Sequence, residues 1–305
     1  MRRAGASSSS TRRAISAPLL SLLLLGLLAS ADALPMWKRK KGKGGSGGGN
    51  GKPASSSAPS PPIGHDYETA SCPKCMTTVM RLLAASTNRG CPGVNATIVT
   101  GSTAARVPSA YVPTAYCEPL LPKKRACVAY SFGLDGTWDF DRAMVEKGCR
   151  VLSFDPLCCG AAHRMGPSHD FIPVGLHTYD GLADSDDPAR PNTTFPVLSL
   201  RTIMTSYDHP KVDVLRLKIS SAHEWKVLKN LVNTGVLQEI RQVSIHMRME
   251  DRTMWEEYKY ILNGVRGAGF HPFYVTKQTG AAYLKVQEGS QSLYSAYEVS
   301  YGNVN

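Results

Sequence analysis

Two residues set the chemistry this chain can do: Gly133, in the turn Ser131-Phe132-Gly133-Leu134-Asp135-Gly136, and Asp155, 22 positions later at the end of Val151-Leu152-Ser153-Phe154-Asp155-Pro156. A glycine lets the backbone come close to a ligand. An acid closing the next apolar run can accept hydrogen bonds from two ribose hydroxyls, and the separation is close to the roughly 20 residues that nucleotide-like cofactor sites use. A dinucleotide would need a third glycine, in the pattern G-x-G-x-x-G, to seat its pyrophosphate on a helix N-terminus. Here only Gly133 and Gly136 are present, and Asp139 and Asp141 open the following helix, where they repel phosphate. An acidic helix start suits a cationic ligand without phosphates, and S-adenosylmethionine is such a ligand.

The elements that must position these residues read as strand, turn, helix and strand. The apolar run from Cys127 enters the turn, a helix stops at Gly148, and Val151 to Phe154 forms the second strand. Phe171 to His177 reads as a third strand, Asp180 to Asp187 as an exposed acidic loop, and Leu198 to Tyr207 as a short helix. Val212 to Ile219 alternates as a fourth strand, followed by a helix over Glu224 to Leu237 with Trp225, Leu228, Leu231 and Val232 at helical spacing. Gln242 to Met249 is a fifth strand and Met254 to Val265 a helix; Phe273 to Lys277, Tyr283 to Val286 and Ala296 to Tyr301 supply final strands. Strand–helix alternation of this kind predicts an α/β fold, a mostly parallel sheet with helices on both faces. Residues 126–305 form that domain, and 64–125, with a helix over Thr77 to Ala85, form an N-terminal cap or subdomain that contains cysteines.

The first 63 residues are of another kind. Arg2, Arg3, Arg12 and Arg13 precede the apolar Leu19 to Leu28, and Ala31-Asp32-Ala33 suits a cleavage site, so 1–33 reads as a signal peptide. The rival reading is an uncleaved type II anchor, because Ala14 to Ala31 gives 18 residues without charge. Either one places the rest of the protein in the secretory pathway, secreted or lumenal, with the membrane touched only through such an anchor. Residues 34–63 are rich in Lys, Gly, Ser and Pro and cannot bury enough apolar surface to order, so they form a flexible linker. Of the net charge of +11, residues 1–33 hold +3 and 34–52 hold +6. The basicity therefore sits in the tail, and the domain is not read as a nucleic-acid binder.

The eight cysteines fit an oxidising compartment. Cys72-Pro73-Lys74-Cys75 has neither the second ligand pair that zinc requires nor a thioredoxin-like strand beside it. Disulfides among Cys72, Cys75, Cys91 and Cys117 are expected, while Cys127 and Cys149, at strand starts, read as buried thiols. The sequons Asn95-Ala96-Thr97 and Asn192-Thr193-Thr194 suit a secreted glycoprotein. Trp138 and Trp225 read as core or cap aromatics, His163 and His169 as surface residues, and Asp184, Asp186 and Asp187 as a solvated loop.

The run YSFGLDGTWDFDRAM, then GCRVLSFDP, FIPVGL and VDVLRLKISSAHEWKVL, resembles the methyltransferase-like 24 group of S-adenosylmethionine-dependent methyltransferases. The likeness extends from Cys127 to Tyr297-Glu298-Val299-Ser300-Tyr301. It implies a Rossmann-like methyltransferase sheet of seven strands with the last one antiparallel, and S-adenosyl-L-methionine as cofactor. It carries cofactor contact onto Ser131, Phe132 and Gly133, ribose contact onto Asp155, and adenine contact onto Gly175 and Leu176. Related methyltransferases end the fourth strand on Lys-Ile-Asp-Ile-Glu-Gly-x-Glu-Trp. Here Lys218 stands where an acid is expected, Ser220 replaces a second acid, and one extra residue precedes Glu224-Trp225. Methyl transfer to a hydroxyl needs alignment and a general base, for which Glu224, His223 and His246 are the candidates, with no metal called for. The resemblance thus implies O-methylation of a hydroxyl such as one on a glycan. The alternative it leaves open is a catalytically lapsed fold that serves as an extracellular binding module.

Overall fold

The computed structural model describes residues 72–84, 87–93, 96–100, 113–134, 137–186, 190–219, 221–249, 251–278, 283–285 and 292–305. The signal or anchor and the linker lie outside the described residues, as do Asn95, Asp135, Gly136, Asp187 and Ser220. In chain order the elements begin with α1 (Pro73–Leu83), the short α2 (Thr87–Gly90), β1 (Thr97–Val99) and β2 (Thr114–Tyr116). Next come β3 (Cys127–Phe132), α3 (Asp139–Glu146), β4 (Cys149–Phe154), β5 (His163–Gly166), β6 (His169–Ile172), β7 (Gly175–Leu176), β8 (Gly181–Asp184) and β9 (Thr194–Leu198). The chain continues through α4 (Leu200–Ser206), β10 (Val212–Leu217), α5 (Ser221–Asn233), β11 (Ile240–Arg248), α6 (Trp255–Gly267) and β12 (Phe270–Lys277). β13 (Tyr283–Lys285), β14 (Ser292–Tyr294) and β15 (Ala296–Asn303) complete it.

Eight strands form the main sheet in the order β12-β15-β11-β10-β3-β4-β6-β5. The run from β11 to β6 is parallel, and β15 lies antiparallel between β11 and β12. Leaving aside the antiparallel edge strand β5, this is the expected Rossmann-like methyltransferase order with its one reversed strand. Every residue of β3 and of β10 is buried, as central strands covered on both faces must be. Strand order reverses beside β3, which pairs with β4 on one side and β10 on the other, so a crevice opens at their carboxyl ends.

Alternation along the strands assigns the two faces. Cys127, Ala129, Val151 and Val214 pack beneath Phe140 and Met144 of α3, together with Val99 of β1 and Tyr116 of β2. Tyr130 points the other way, and its hydroxyl meets His209 Nδ1 at 2.8 Å beyond α4. The described part of the N-terminal segment is tied into the sheet. Gln242 of β11 accepts from Cys117 N at 2.7 Å and donates to Cys117 O at 2.9 Å. Disulfides Cys72–Cys75 and Cys91–Cys117 lie among the four cysteines expected to pair.

Several expectations change. Cys127 and Cys149 are in register on β3 and β4 and form a disulfide, not two thiols. His169 is buried, where a surface position was expected. The third strand is interrupted at Pro173-Val174, which splits it into β6 and β7, and β7 joins the small β7-β9-β8 sheet. The acidic loop contains the strand β8, and β13 pairs only with β14, outside the main sheet. Among the described residues no helix is long and apolar enough to cross a membrane.

One transverse row of the sheet is polar. Ser153, Ser131, Arg216, Ser244 and Ser300 are register partners across β4, β3, β10, β11 and β15, and all five are buried. Ser153 donates to Asp141 of α3 at 2.5 Å, so His169 Nε2, 2.7 Å away, must be the donor to the serine oxygen. Ser244 lies 2.9 Å from Ser300 Oγ and also from Glu298 Oε1. Buried hydroxyls persist where they find partners of this kind.

Candidate functional site

A cavity of about 720 Å³ opens at the carboxyl ends of β3, β4, β10 and β11. Its lining includes Phe132, Gly133, Asp155, Gly175, Leu176, Lys218, His223, His246 and Arg248. This is where a doubly wound sheet holds ligands.

The glycine turn is fixed from several sides. Gly133 has φ +75°, and a Cβ there would lie 1.6 Å from the Lys218 carbonyl oxygen. Its N–H donates to Phe154 O at 2.9 Å, and Lys218 N donates to Phe132 O at 2.9 Å. Arg216, buried below, donates to Gly133 O at 3.0 Å and to Ser131 Oγ at 3.3 Å. Only glycine fits where the β3 and β10 backbones approach this closely.

Asp155 braces the same turn. Its Oδ2 accepts from Leu134 N at 3.0 Å and its Oδ1 from Leu157 N at 2.9 Å. One bond on each oxygen leaves each with a further lone pair for a ligand hydroxyl. Phe132 and Phe154, stacked at 4.5 Å, lie just inside the turn. Gly175 faces Phe195 and Val197 at 3.0 and 3.1 Å from where a Cβ would stand, so a side chain there would crowd this end.

The other end carries the imidazoles. His246 sits on β11 directly opposite Glu298 of β15, with Nδ1 3.5 Å from Glu298 Oε2. Glu298 Oε1 accepts from Thr114 Oγ1 and Ser244 Oγ, both at 2.9 Å. Both residues are almost wholly buried, and neither ring nitrogen of His246 makes a hydrogen bond within the described residues, although the residue lines the cavity. A buried imidazole nitrogen without a partner is costly unless a ligand supplies one. His223 lies 3.8 Å from Asp186, and its ring is 4.9 Å from that of His177. Desolvation pushes the pKa of both His177 and His223 below the usual value of 6.5.

The sequence-derived candidates separate accordingly. Phe132, Gly133, Asp155, Gly175, Leu176, His223 and His246 all line the cavity. Ser131 does not: it points beneath the turn, toward Arg216. Glu224 is likewise turned away, and its carboxylate accepts from Arg248 N at 2.5 Å. Trp225 donates its indole N–H to Arg248 O at 2.6 Å, so consecutive residues of α5 hold both polar groups of one peptide residue at the end of β11. Sequence reasoning gave Glu298, Thr114 and Arg248 no role. For Glu298 a signal existed: an acid at the centre of an alternating, aromatic-rich strand needs a buried partner. Among the described residues no group of His, Cys, Asp and Glu is placed to hold a metal ion.

No family model matches this chain. Two curated relatives do. The human "Probable methyltransferase-like protein 24" is 28% identical over 198 residues, covering 59% of this chain and 51% of the relative. The rat protein of the same name is 27% identical over 195 residues, covering 59% and 52%. The chain thus spans about half the length of the curated relatives it matches, and the resemblance to the methyltransferase-like 24 group rests on this similarity as well as on the motifs. Among solved structures, a SAM-dependent methyltransferase from Agrobacterium tumefaciens overlays with a TM-score of 0.32 and 8% identity, over 69% of this chain and 71% of that one. A precorrin-6y C5,15-methyltransferase from Geobacter metallireducens gives 0.29 and 8%, over 60% and 85%. The assignment of fold stands on strand order and not on these overlays.

Proposed function

We propose that this protein binds S-adenosylmethionine at the β3–β4 end of the cavity and transfers its methyl group to a hydroxyl acceptor at the β11 end. The observation that carries the reading is the pairing, in one cavity, of Asp155 beyond a glycine turn with a buried histidine whose ring nitrogens make no hydrogen bond and which stands opposite a buried glutamate. The residues fit the cofactor: Asp155 keeps one lone pair on each oxygen for the ribose, the Gly133 and Gly175 positions exclude side chains, and Phe132 and Phe154 give an apolar wall. The cofactor supplies a methyl group already activated as a sulfonium. The protein aligns the acceptor and takes its proton. His246 receives that proton on Nε2 while Glu298, held by Thr114 and Ser244, faces Nδ1 and stabilises the imidazolium that results.

In the secretory pathway a glycan hydroxyl is the acceptor this reading favours. Asn192, in the second sequon, is exposed in a turn with φ +62°, as a modified asparagine in that compartment would need.

Calorimetry with S-adenosylhomocysteine separates the two halves of the reading. Asp155→Asn, which keeps one acceptor oxygen for the turn, should weaken binding about tenfold or more. His246→Gln should leave binding within about twofold and lower methyl transfer roughly 100-fold, the usual size of a general-base effect. Unchanged affinity in Asp155→Asn would refute the ribose assignment. Cofactor binding by the wild-type protein with no transfer to any hydroxyl acceptor would favour the binding-module reading.

A further inference from the structure

Beyond β4 the cavity wall ends in two adjacent cysteines that methyl transfer does not use. Cys158 and Cys159 line the cavity directly after Asp155, Pro156 and Leu157, and a disulfide joins them to each other. A bond between neighbouring residues closes a small ring around their shared peptide unit, so it fixes the local backbone and little else. Cys159 lies at φ +66° and Gly160 follows at φ +81°. A positive φ is unfavourable for cysteine and persists only where the surrounding structure enforces it. Leu157 joins this ring to the site. Its N–H donates to Asp155 Oδ1 at 2.9 Å, and its carbonyl accepts from Arg190, between β8 and β9. Pro156 packs on Gly175, its Cγ 3.3 Å from where a glycine Cβ would stand.

Exposure separates this disulfide from the other three. Cys75, Cys91, Cys117, Cys127 and Cys149 are buried, so each of the others includes at least one cysteine shielded from solvent. Cys159 is exposed and Cys158 half-buried. Thiol–disulfide exchange requires that an attacking thiolate reach a sulfur. We propose that Cys158 and Cys159 form a thiol–disulfide exchange site in the cavity wall, that its substrate is a dithiol reductant, and that its oxidation state sets the affinity for the cofactor. The link to the cofactor rests on the S-adenosylmethionine reading, but the exchange site does not.

The step balances with the dithiol as the two-electron donor. One of its thiolates attacks Cys159 Sγ, the bond to Cys158 Sγ breaks, and that sulfur leaves as a thiolate and takes up a proton. The second thiolate of the reductant then displaces Cys159 Sγ, which is protonated in turn, and the reductant departs as a disulfide. Opening the ring releases Cys159 from its left-handed conformation and loosens the segment that holds the Leu157 N–H against Asp155. Cofactor binding must then order that segment again, so affinity falls.

The test is a dithiothreitol titration of the full chain folded under oxidising conditions, with thiols trapped by a maleimide and located by mass spectrometry. Thiols at Cys158 and Cys159 should appear at a concentration that leaves the other three disulfides intact. Calorimetry at that concentration should show S-adenosylhomocysteine bound about fivefold or more weakly, with full recovery on reoxidation by glutathione disulfide. By linkage, saturating S-adenosylhomocysteine should make the pair harder to reduce by the same factor. Cys158→Ser combined with Cys159→Ser should bind as the reduced wild type does and no longer respond to dithiothreitol. Free thiols at both positions before any reductant, or prior reduction of a buried disulfide, would overturn the exchange site. Unchanged affinity in the reduced wild type would overturn its control of the cofactor. If the oxidised wild type binds no S-adenosylhomocysteine, the cofactor reading falls, while selective reduction of Cys158–Cys159 still establishes the site.

Discussion

At the residue scale the cavity depends on a few atoms that tolerate no substitution. Gly133 combines a positive φ with a backbone approach that a single methyl group would block, because its Cβ would stand 1.6 Å from Lys218 O. Gly133→Ala should therefore cost about 3 kcal/mol or more, adding backbone strain to overpacking, and should lower cofactor affinity in whatever protein remains folded. Chemical denaturation and the same calorimetry measure both effects. Asp155 was readable in advance because its partner lies near in sequence and the spacing to the glycine is characteristic. For Glu298 the sequence signalled only a need for a buried partner; that the partner is His246 was not readable, because a strand pairing brings together residues far apart along the chain. Ser131 shows the opposite difficulty. It lies inside the motif, but strand alternation turns it under the sheet, and only the known position of Arg216 reveals what it does there.

At the scale of elements the strand sequence was legible wherever apolar runs were long and bounded by glycine or proline. It failed where a strand was short or broken. Pro173 ends β6 early, and the residues after it move to a different sheet. The Cys127–Cys149 pairing was hidden for a related reason: it follows from the register of β3 on β4, and register is a property of two elements together. The polar row across the sheet was also invisible, since each of its residues is unremarkable within its own strand. Its neighbour Tyr301 on β15 is wholly buried, and its hydroxyl has no hydrogen-bond partner, so burial pushes its pKa well above the ordinary tyrosine value. Tyr301→Phe removes a polar atom that was desolvated without compensation and should raise stability by about 1 kcal/mol. Equilibrium unfolding in urea measures this, and a loss of stability would mean that the hydroxyl has a partner after all.

For the molecule as a whole, the histidines set a direction for its pH dependence. His169, His177, His209 and His223 all have pKa values lowered from 6.5, each chiefly by desolvation. In the unfolded chain these groups take up protons near pH 6.5, whereas in the folded protein they do so only at lower pH. Between the two values the unfolded state binds more protons, so stability rises with pH through that window and is fully present above about 6.5. Thermal melts should show a loss of melting temperature on acidification from pH 7 to 5; a flat profile would contradict the burial of these rings. All of the described residues lie in one compact unit, 62–305. Within it the N-terminal segment reaches the site itself, since Thr114 bonds the carboxylate that faces His246.

The place of β15 has a consequence in time. This strand is synthesised after β11 and β12 yet lies between them, bonded to both. Until it arrives the sheet has a gap, with two long strand edges unpaired and His246 facing no acid. Such open edges attract other chains. A chain made only as far as β12 holds the residues of the cavity wall at β3, β4, β10 and β11 but lacks the carboxylate that faces His246. Closing the gap joins Glu298 to Thr114, 184 positions earlier, so β15 seals the sheet and brings the acid opposite His246 in the same step.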